Sequence, residues 1–263
     1  MIGIFDSGVG GLTVAKEVMS QLPGYRLIYF GDTARYPYGN KSPKTVIKYA
    51  IEDTDFLLSH GAKVIIVGCN TASALAIDEL KNRYPGVPIF GVVTPAVKQA
   101  ASISKNKKVG VIGTRGTVNS SIYTQLINQL NPEIKVYQQA CPLLVPLVEE
   151  NWLKRPETKM IVRRYLYNLK LKGIDTLILG CTHYPLLKEV ISAKIGKRVQ
   201  LVDSAVEVVK EVKKLVKTKA DLSLGQSGAN HFYVSDLNPQ TQEIAKRWLG
   251  NEIKLEEVSG IGE

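Results

Sequence analysis

Gly68-Cys69-Asn70-Thr71 and Gly180-Cys181-Thr182-His183 are the two stretches on which the reading of this chain turns. Each follows a short apolar run, Val64-Ile65-Ile66-Val67 in the first case and Thr176-Leu177-Ile178-Leu179 in the second. Runs of this length, β-branched and aliphatic and introduced by Gly-Ala-Lys or Gly-Ile-Asp, predict buried parallel strands. A helical pattern follows each run. Both cysteines therefore fall at the carboxyl end of a strand, where open α/β sheets bind their ligands. One such cysteine is explained as a packed thiol; two in matching frames ask for a shared purpose.

Working outward, the order strand, loop, helix repeats along the chain. Strands are predicted over 3–5, 26–30 and 88–92, with helices over 12–22, 45–60 and 73–84. Residues 6–11 form a Gly-rich turn and 31–43 an irregular loop. A second series begins after Thr94-Pro95, with strands over 108–112 and 134–138 and helices over 121–130 and 160–172. Between them lie a Gly-containing turn at 113–117 and a loop from Cys141 through Glu149. A helix over 206–217 and late strands over 231–235 and 253–258 complete the pattern. This alternation predicts an α/β fold of doubly wound parallel sheets.

The two series superpose. Asp6-Ser7 corresponds to Gly113-Thr114, Tyr38-Gly39 falls near Pro146-Leu147, and Cys69 corresponds to Cys181. From Ser7 to Cys69 is 62 positions and from Thr114 to Cys181 is 67, close enough to predict two related halves facing one cleft. Generic strand-turn-helix units also recur at about 30 residues, so spacing alone proves little; the shared Gly-Cys ending strengthens it. The expected domains are 1–96 with 208–263, carrying Cys69, and 97–207, carrying Cys181.

Composition excludes several classes. The 263 residues, 44% hydrophobic and 22% charged, suit a globular protein that needs no covalent staple. No apolar run approaches the ~18 residues of a membrane span. The start, Met1-Ile2-Gly3-Ile4-Phe5, reads as a strand rather than a secretory leader, and three cysteines are too few and odd for a disulfide framework. The expected compartment is the cytoplasm. The net charge of +10 invites a nucleic-acid partner, but much of it is spread over lysine-rich helix faces such as 207–219, where valines alternate with lysines as on a solvated face. No nucleic-acid-binding module is present.

A cysteine where a strand meets a helix can have its thiolate favoured by the helix N-terminus. One such thiol would suggest nucleophilic catalysis with a His partner; His183, two residues from Cys181, could instead tune that thiol. Two thiols on opposite walls of a cleft suit stereoinversion, one removing a proton from carbon and the other delivering a proton to the opposite face. Ser7, Asn70, Thr71, Thr114, Thr117 and Thr182 are small donors on predicted strand ends, suited to carboxylates. Asp6 and Glu149 could hold an ammonium group or adjust the thiols, although Asp and Ser before a helix are also ordinary caps. Two rival chemistries are weaker. Gly8-Val9-Gly10-Gly11 with Asp32 has part of a dinucleotide fingerprint but Thr13 at the third glycine. A metal site from Cys69, Cys181 and His183 lacks a fourth ligand. Cys141, before Pro142, has no motif around it and reads as structural.

Taken together, Asp6-Ser7-Gly8-Val9-Gly10-Gly11, Tyr36-Pro37-Tyr38-Gly39, Gly68-Cys69-Asn70-Thr71-Ala72 and Gly180-Cys181-Thr182-His183-Tyr184-Pro185 resemble the glutamate racemases, over essentially the whole length. The resemblance implies a cofactor-independent, metal-free, two-base interconversion of L- and D-glutamate, the D-isomer serving peptidoglycan. It implies that Cys69 acts on D-glutamate with help from Asp6, and Cys181 on L-glutamate with help from Glu149 and His183. It further implies that Asp6, Ser7, Tyr38, Gly39, Asn70, Thr71, Thr114, Thr117, Thr182 and His183 hold substrate, and that the enzyme is a homodimer. Aspartate racemases carry similar motifs, and a non-catalytic module that captures an acidic metabolite would need the same cleft.

Overall fold

The computed structural model describes residues 1–218, 224, 228–258 and 260. The chain runs β1 (Ile2–Asp6), α1 (Leu12–Gln21), β2 (Leu27–Gly31), α2 (Pro43–Ser59), β3 (Val64–Val67), α3 (Asn70–Leu75), α4 (Ile77–Arg83) and β4 (Ile89–Gly91). After α5 (Val93–Ile103) come β5 (Lys108–Gly113), α6 (Arg115–Asn119), α7 (Ile122–Leu130), β6 (Lys135–Ala140), α8 (Leu144–Glu149) and α9 (Pro156–Leu171). Then follow β7 (Thr176–Gly180), α10 (Lys188–Ile195), β8 (Gln200–Asp203), α11 (Ser204–Thr218), β9 (His231–Val234), α12 (Pro239–Leu249) and β10 (Glu256–Glu257).

The strands form two all-parallel sheets. One has six strands in the order β10-β9-β2-β1-β3-β4, the other four in the order β6-β5-β7-β8. The sub-order β2-β1-β3-β4 in the first is matched strand for strand by β6-β5-β7-β8 in the second. β1 and β5 are thus equivalent centres, and β3 and β7 equivalent neighbours bearing the two Gly-Cys stretches. Central strands such as β1, β3 and β7 are buried at every residue, as parallel strands covered on both faces must be. Residues of the late segment, β9 and β10, extend the first sheet beside β2. α11 packs against both α1 and α5, with Val208, Val209, Val212 and Val216 buried while Lys210, Lys214 and Lys217 are exposed. That is the solvated lysine face read from the sequence; Lys219 at its end lies outside the described residues.

The glycine before each cysteine has a steric cause. A Cβ on Gly180 would sit 2.7 Å from the Ile112 carbonyl oxygen of β5, and one on Gly68 would sit 3.0 Å from the Phe5 oxygen of β1. In the second place the carbonyl also accepts the Gly68 N–H at 2.8 Å. Each glycine therefore lets its strand end close on the central strand of its sheet, which fixes where the following sulfur emerges.

Several elements differ from the sequence expectation. The helix expected over 73–84 is two helices, α3 and α4, meeting at Ala76. α5 runs counter to expectation, because Pro95 reads as a break; it stands in the first turn, where its missing N–H removes no helical bond. The Cys141–Glu149 loop contains α8, with Pro146 likewise in the first turn. α10, the short edge strand β8 and α12 are also unforeseen, and the last strand shrinks to Glu256–Glu257. Cys181 leads into a 3-10 turn, Tyr184–Leu187, before α10 rather than directly into an α-helix.

Gly180→Ala is expected to lower the unfolding free energy by about 1–3 kcal/mol, because the backbone oxygen it meets cannot swing aside. Gly24→Ala, whose added methyl meets nothing within 4 Å, is expected to stay within about 0.5 kcal/mol of the parent. Urea unfolding of the three proteins checks both, and equal midpoints would contradict the steric account.

Candidate active site

Cys69 caps α3 at the end of β3, and Cys181 follows β7 in the other sheet. Both are buried, at 6% and 7% exposure, yet both line one cavity of ≈ 310 Å³. From the first half the walls are Ser7, Tyr36 through Asn40, and Cys69 through Thr71. From the second they are Thr114, Arg115, Pro142, Val145, Pro146, Glu149, and Cys181 through His183. Of the residues singled out in the sequence, Asp6 and Thr117 are the two that stand behind this wall rather than on it.

Hydroxyls and amides stitch the halves together around the cavity. Thr71 Oγ1 lies 3.0 Å from Thr114 Oγ1 and 3.2 Å from Thr117 Oγ1, and the last two are 3.1 Å apart. Thr114 also caps α6 by accepting the Thr117 N–H. Asn70 Nδ2 donates to Tyr123 Oη at 2.9 Å and to Ser204 Oγ at 3.2 Å, while its Oδ1 is buried with no partner among the described residues. Thr13 Oγ1 lies 2.9 Å from the Gly10 carbonyl and 3.0 Å from the Thr182 carbonyl, its one proton shared between them. The residue occupying the third-glycine position of the dinucleotide pattern is therefore an anchor for the Cys181 loop. Asp32, the acid of that pattern, is fully buried and accepts from Arg35 and Ser235, so it is not free for a ribose. Among the described residues no group of three or more His, Cys, Asp or Glu is arranged to hold a metal ion.

The two sulfurs have different surroundings. Cys69 Sγ lies 3.5 Å from Ser7 Oγ. Burial, with the negative charge of Asp6 behind it, pushes the Cys69 thiol up to about 12. This reverses the sequence expectation of a thiolate favoured by a helix start, since α3 has only six residues and desolvation dominates. Asp6 itself is raised, chiefly by burial; its Oδ2 accepts the Gly8 N–H at 3.1 Å and its Oδ1 has no partner among the described residues. Cys181 Sγ instead lies 3.8 Å from His183 Nδ1, and His183 Nε2 lies 3.0 Å from Glu149 Oε1. Burial opposes a charge on His183, but Cys181 and Glu149 outweigh it and raise the imidazole to about 10. Trp248 of α12 closes the back of His183, edge to face at 5.7 Å. Cys141 is fully buried and its thiol pushed up by burial, in keeping with a structural role.

Sequence reasoning missed Tyr36 and Arg115 as wall residues, although both sit beside motif residues it did select. Tyr38 is on the cavity lining with its ring fully buried and its hydroxyl committed to Asp32 and Asp53. No described helix is long and apolar enough to cross a membrane.

Comparison with known proteins agrees with this geometry. The Asp/Glu/Hydantoin racemase family profile matches residues 13–212. A glutamate racemase of Geobacter metallireducens is 47% identical over 253 residues, covering 96% of this chain and 93% of its own. Among solved structures, a glutamate racemase isoform from Bacillus anthracis superposes with TM-score 0.94 at 37% identity, covering 98% of this chain and 97% of its own. The Francisella tularensis glutamate racemase, solved in complex with D-glutamate, gives 0.91 at 39% identity, covering 98% and 97%. An aspartate racemase from Picrophilus torridus, at 19% identity and TM-score 0.57, shares the fold alone, covering 86% of this chain and 99% of its own. Two paired parallel sheets, matching Gly-Cys stretches on one cavity and relatives of this identity over nearly full length lead to one conclusion: this chain belongs to the Asp/Glu/Hydantoin racemase family.

Proposed function

We propose that the protein interconverts L- and D-glutamate by a two-base mechanism, with Cys69 and Cys181 as the bases. The observation that carries this is the pair of thiols, one from each sheet, on the wall of a single cavity. The relatives' names supply the substrate.

In this reading the Cys69 thiolate takes the α-proton of D-glutamate. The Cα–H bond breaks, an S–H bond forms, and the electron pair moves into the α-carboxylate. The Cys181 thiol then gives its proton to the opposite face, forming L-glutamate and leaving Cys181 as thiolate; the reverse reaction exchanges the roles. The Cys69 thiolate forms when the Cys69 thiol passes its proton to the Asp6 carboxylate, the arriving ammonium group of the substrate offsetting the burial that keeps this thiol neutral. His183, held by Glu149, exchanges a proton with Cys181 through Nδ1. The neutral donors Ser7, Asn70, Thr71, Thr114 and Thr182, with the backbone at Tyr38 and Gly39, receive the two carboxylates, and Thr117 braces Thr71 and Thr114. Supply of D-glutamate for peptidoglycan, a cytoplasmic location and a homodimer belong to the same proposal and come from the resemblance.

Cys69→Ala and Cys181→Ala are each expected to reduce racemisation by at least about 100-fold while unfolding like the parent. Polarimetry of L-glutamate and L-aspartate in deuterated buffer, with the α-hydrogen followed by NMR, checks this. Full turnover in either variant sinks the two-base mechanism, turnover of aspartate alone reassigns the substrate, and stoichiometric binding without exchange makes the protein a capture module. A second outcome concerns pH. Because the folded His183 lies above its ordinary value of 6.5, its stabilisation is complete below 6.5 and is lost as pH rises toward about 10. The difference in urea stability between the parent and His183→Gln is therefore expected to shrink across that window, and a constant difference would contradict the Glu149–His183–Cys181 arrangement.

A further inference from the structure

Behind the cavity wall formed by Tyr36 through Asn40 lies a buried cluster of charges that the reaction does not use. Arg35 is 8% exposed and Asp32 and Asp53 are fully buried. Arg35 Nε donates to Asp32 Oδ2 at 2.7 Å, Nη2 donates to Asp53 Oδ1 at 3.0 Å, and Nη1 bonds Glu52. The face of the guanidinium stacks over Tyr49, with Cζ 4.0 Å from the ring centroid. The Tyr38 hydroxyl contacts Asp32 Oδ2 and lies 2.9 Å from Asp53 Oδ2. Asp32 Oδ1 accepts from Ser235 Oγ at 2.9 Å, and Ser235 Oγ in turn accepts the Ala34 N–H at 2.9 Å.

Counting hydrogens gives the protonation pattern. A phenol carries one proton, so Tyr38 donates to one carboxyl and must accept from the other. Asp32 already receives Arg35 Nε on Oδ2 and Ser235 on Oδ1, which makes it the acceptor. Apart from Tyr38, Asp53 has only Arg35 as a partner among the described residues, and only on Oδ1, leaving Oδ2 to carry the remaining proton. We propose that Asp32, Arg35 and a protonated Asp53 form a clamp on Tyr38 that fixes the Tyr38-Gly39-Asn40 wall, and are positioning residues for substrate binding. Burial and the negative charge of Asp32 both hold Asp53 toward its neutral form, with Arg35 pulling the other way. The clamp acts through main chain: the ring it grips is fully buried, while Gly39 packs directly on the other half, where a Cβ would come 2.8 Å from Thr114 Cβ. Lysine cannot replace Arg35, because the three nitrogens that meet three acids are a rigid planar fork.

The kinetic part rests on the racemase reading; the protonation part does not. Asp53→Asn reproduces the clamp, its Oδ1 accepting from Arg35 and its Nδ2 donating to Tyr38, so KM and kcat for glutamate are expected within about twofold of the parent. Asp53→Ala and Arg35→Lys are expected to raise KM about tenfold with a smaller change in kcat. A purely structural role would instead lower the folded fraction, and so the apparent kcat, at constant KM. Infrared difference spectra of the parent against Asp53→Asn at neutral pH are expected to contain the carbonyl band of a neutral carboxylic acid. An Asp53→Asn variant as impaired as Asp53→Ala, an unchanged KM in Asp53→Ala, or absence of that band overturns the clamp. A parent without racemase activity but with the band overturns the functional reading and leaves the protonation pattern standing.

Discussion

Close approach of a strand end to the central strand of its own sheet is the constraint from which the site follows. Gly68 against Phe5 and Gly180 against Ile112 occupy equivalent places in two sheets of the same strand order. Any side chain at either position would push the strand end from its neighbour's carbonyl and carry the next residue with it. Because that next residue is a cysteine in both halves, the same backbone geometry presents two sulfurs to one cavity. Catalysis by a matched pair of weak bases needs this, since proton removal and proton return must occur on opposite faces of one carbon.

Matched backbone does not mean matched chemistry. Cys69 sits beside a neutral hydroxyl and a buried carboxylate, and burial keeps it a thiol. Cys181 sits beside an imidazole that Glu149 holds on its far side. In the proposed mechanism the halves therefore prepare their sulfurs by different means, one relying on the charge of the substrate and the other on a resident relay. Beside Arg115, Glu149 and His183, the polar wall is hydroxyl and amide, cross-linked by the triangle of Thr71, Thr114 and Thr117.

Much of this was legible in the sequence because the signal is local. A run such as Val64-Ile65-Ile66-Val67 ending in Gly-Cys states strand, close approach and ligand position within six residues. The cavity-lining threonines and Asn70 follow from the same strand ends. Helices α5 and α8 were illegible because Pro95 and Pro146 look like breaks in sequence and are harmless first-turn residues in space. α12 was missed because Gln240, Gln242, Glu243, Lys246 and Arg247 outnumber Ile244, Ala245, Trp248 and Leu249, which anchor it. Asp53 lies on the buried face of α2, but nothing local in the sequence says that its partners are Arg35 and Tyr38, 18 and 15 residues away. The thiolate expectation failed for an energetic reason, a six-residue helix being too short to outweigh the desolvation of Cys69.

A crystal structure of the Cys69→Ser variant with glutamate bound is the most direct measurement of the central claim. The account predicts that the substrate's α-carbon lies between the hydroxyl oxygen introduced by that substitution and Cys181 Sγ, in van der Waals contact with both and approached on opposite faces. A substrate whose α-carbon contacts only one of them, or meets both on the same face, would contradict it.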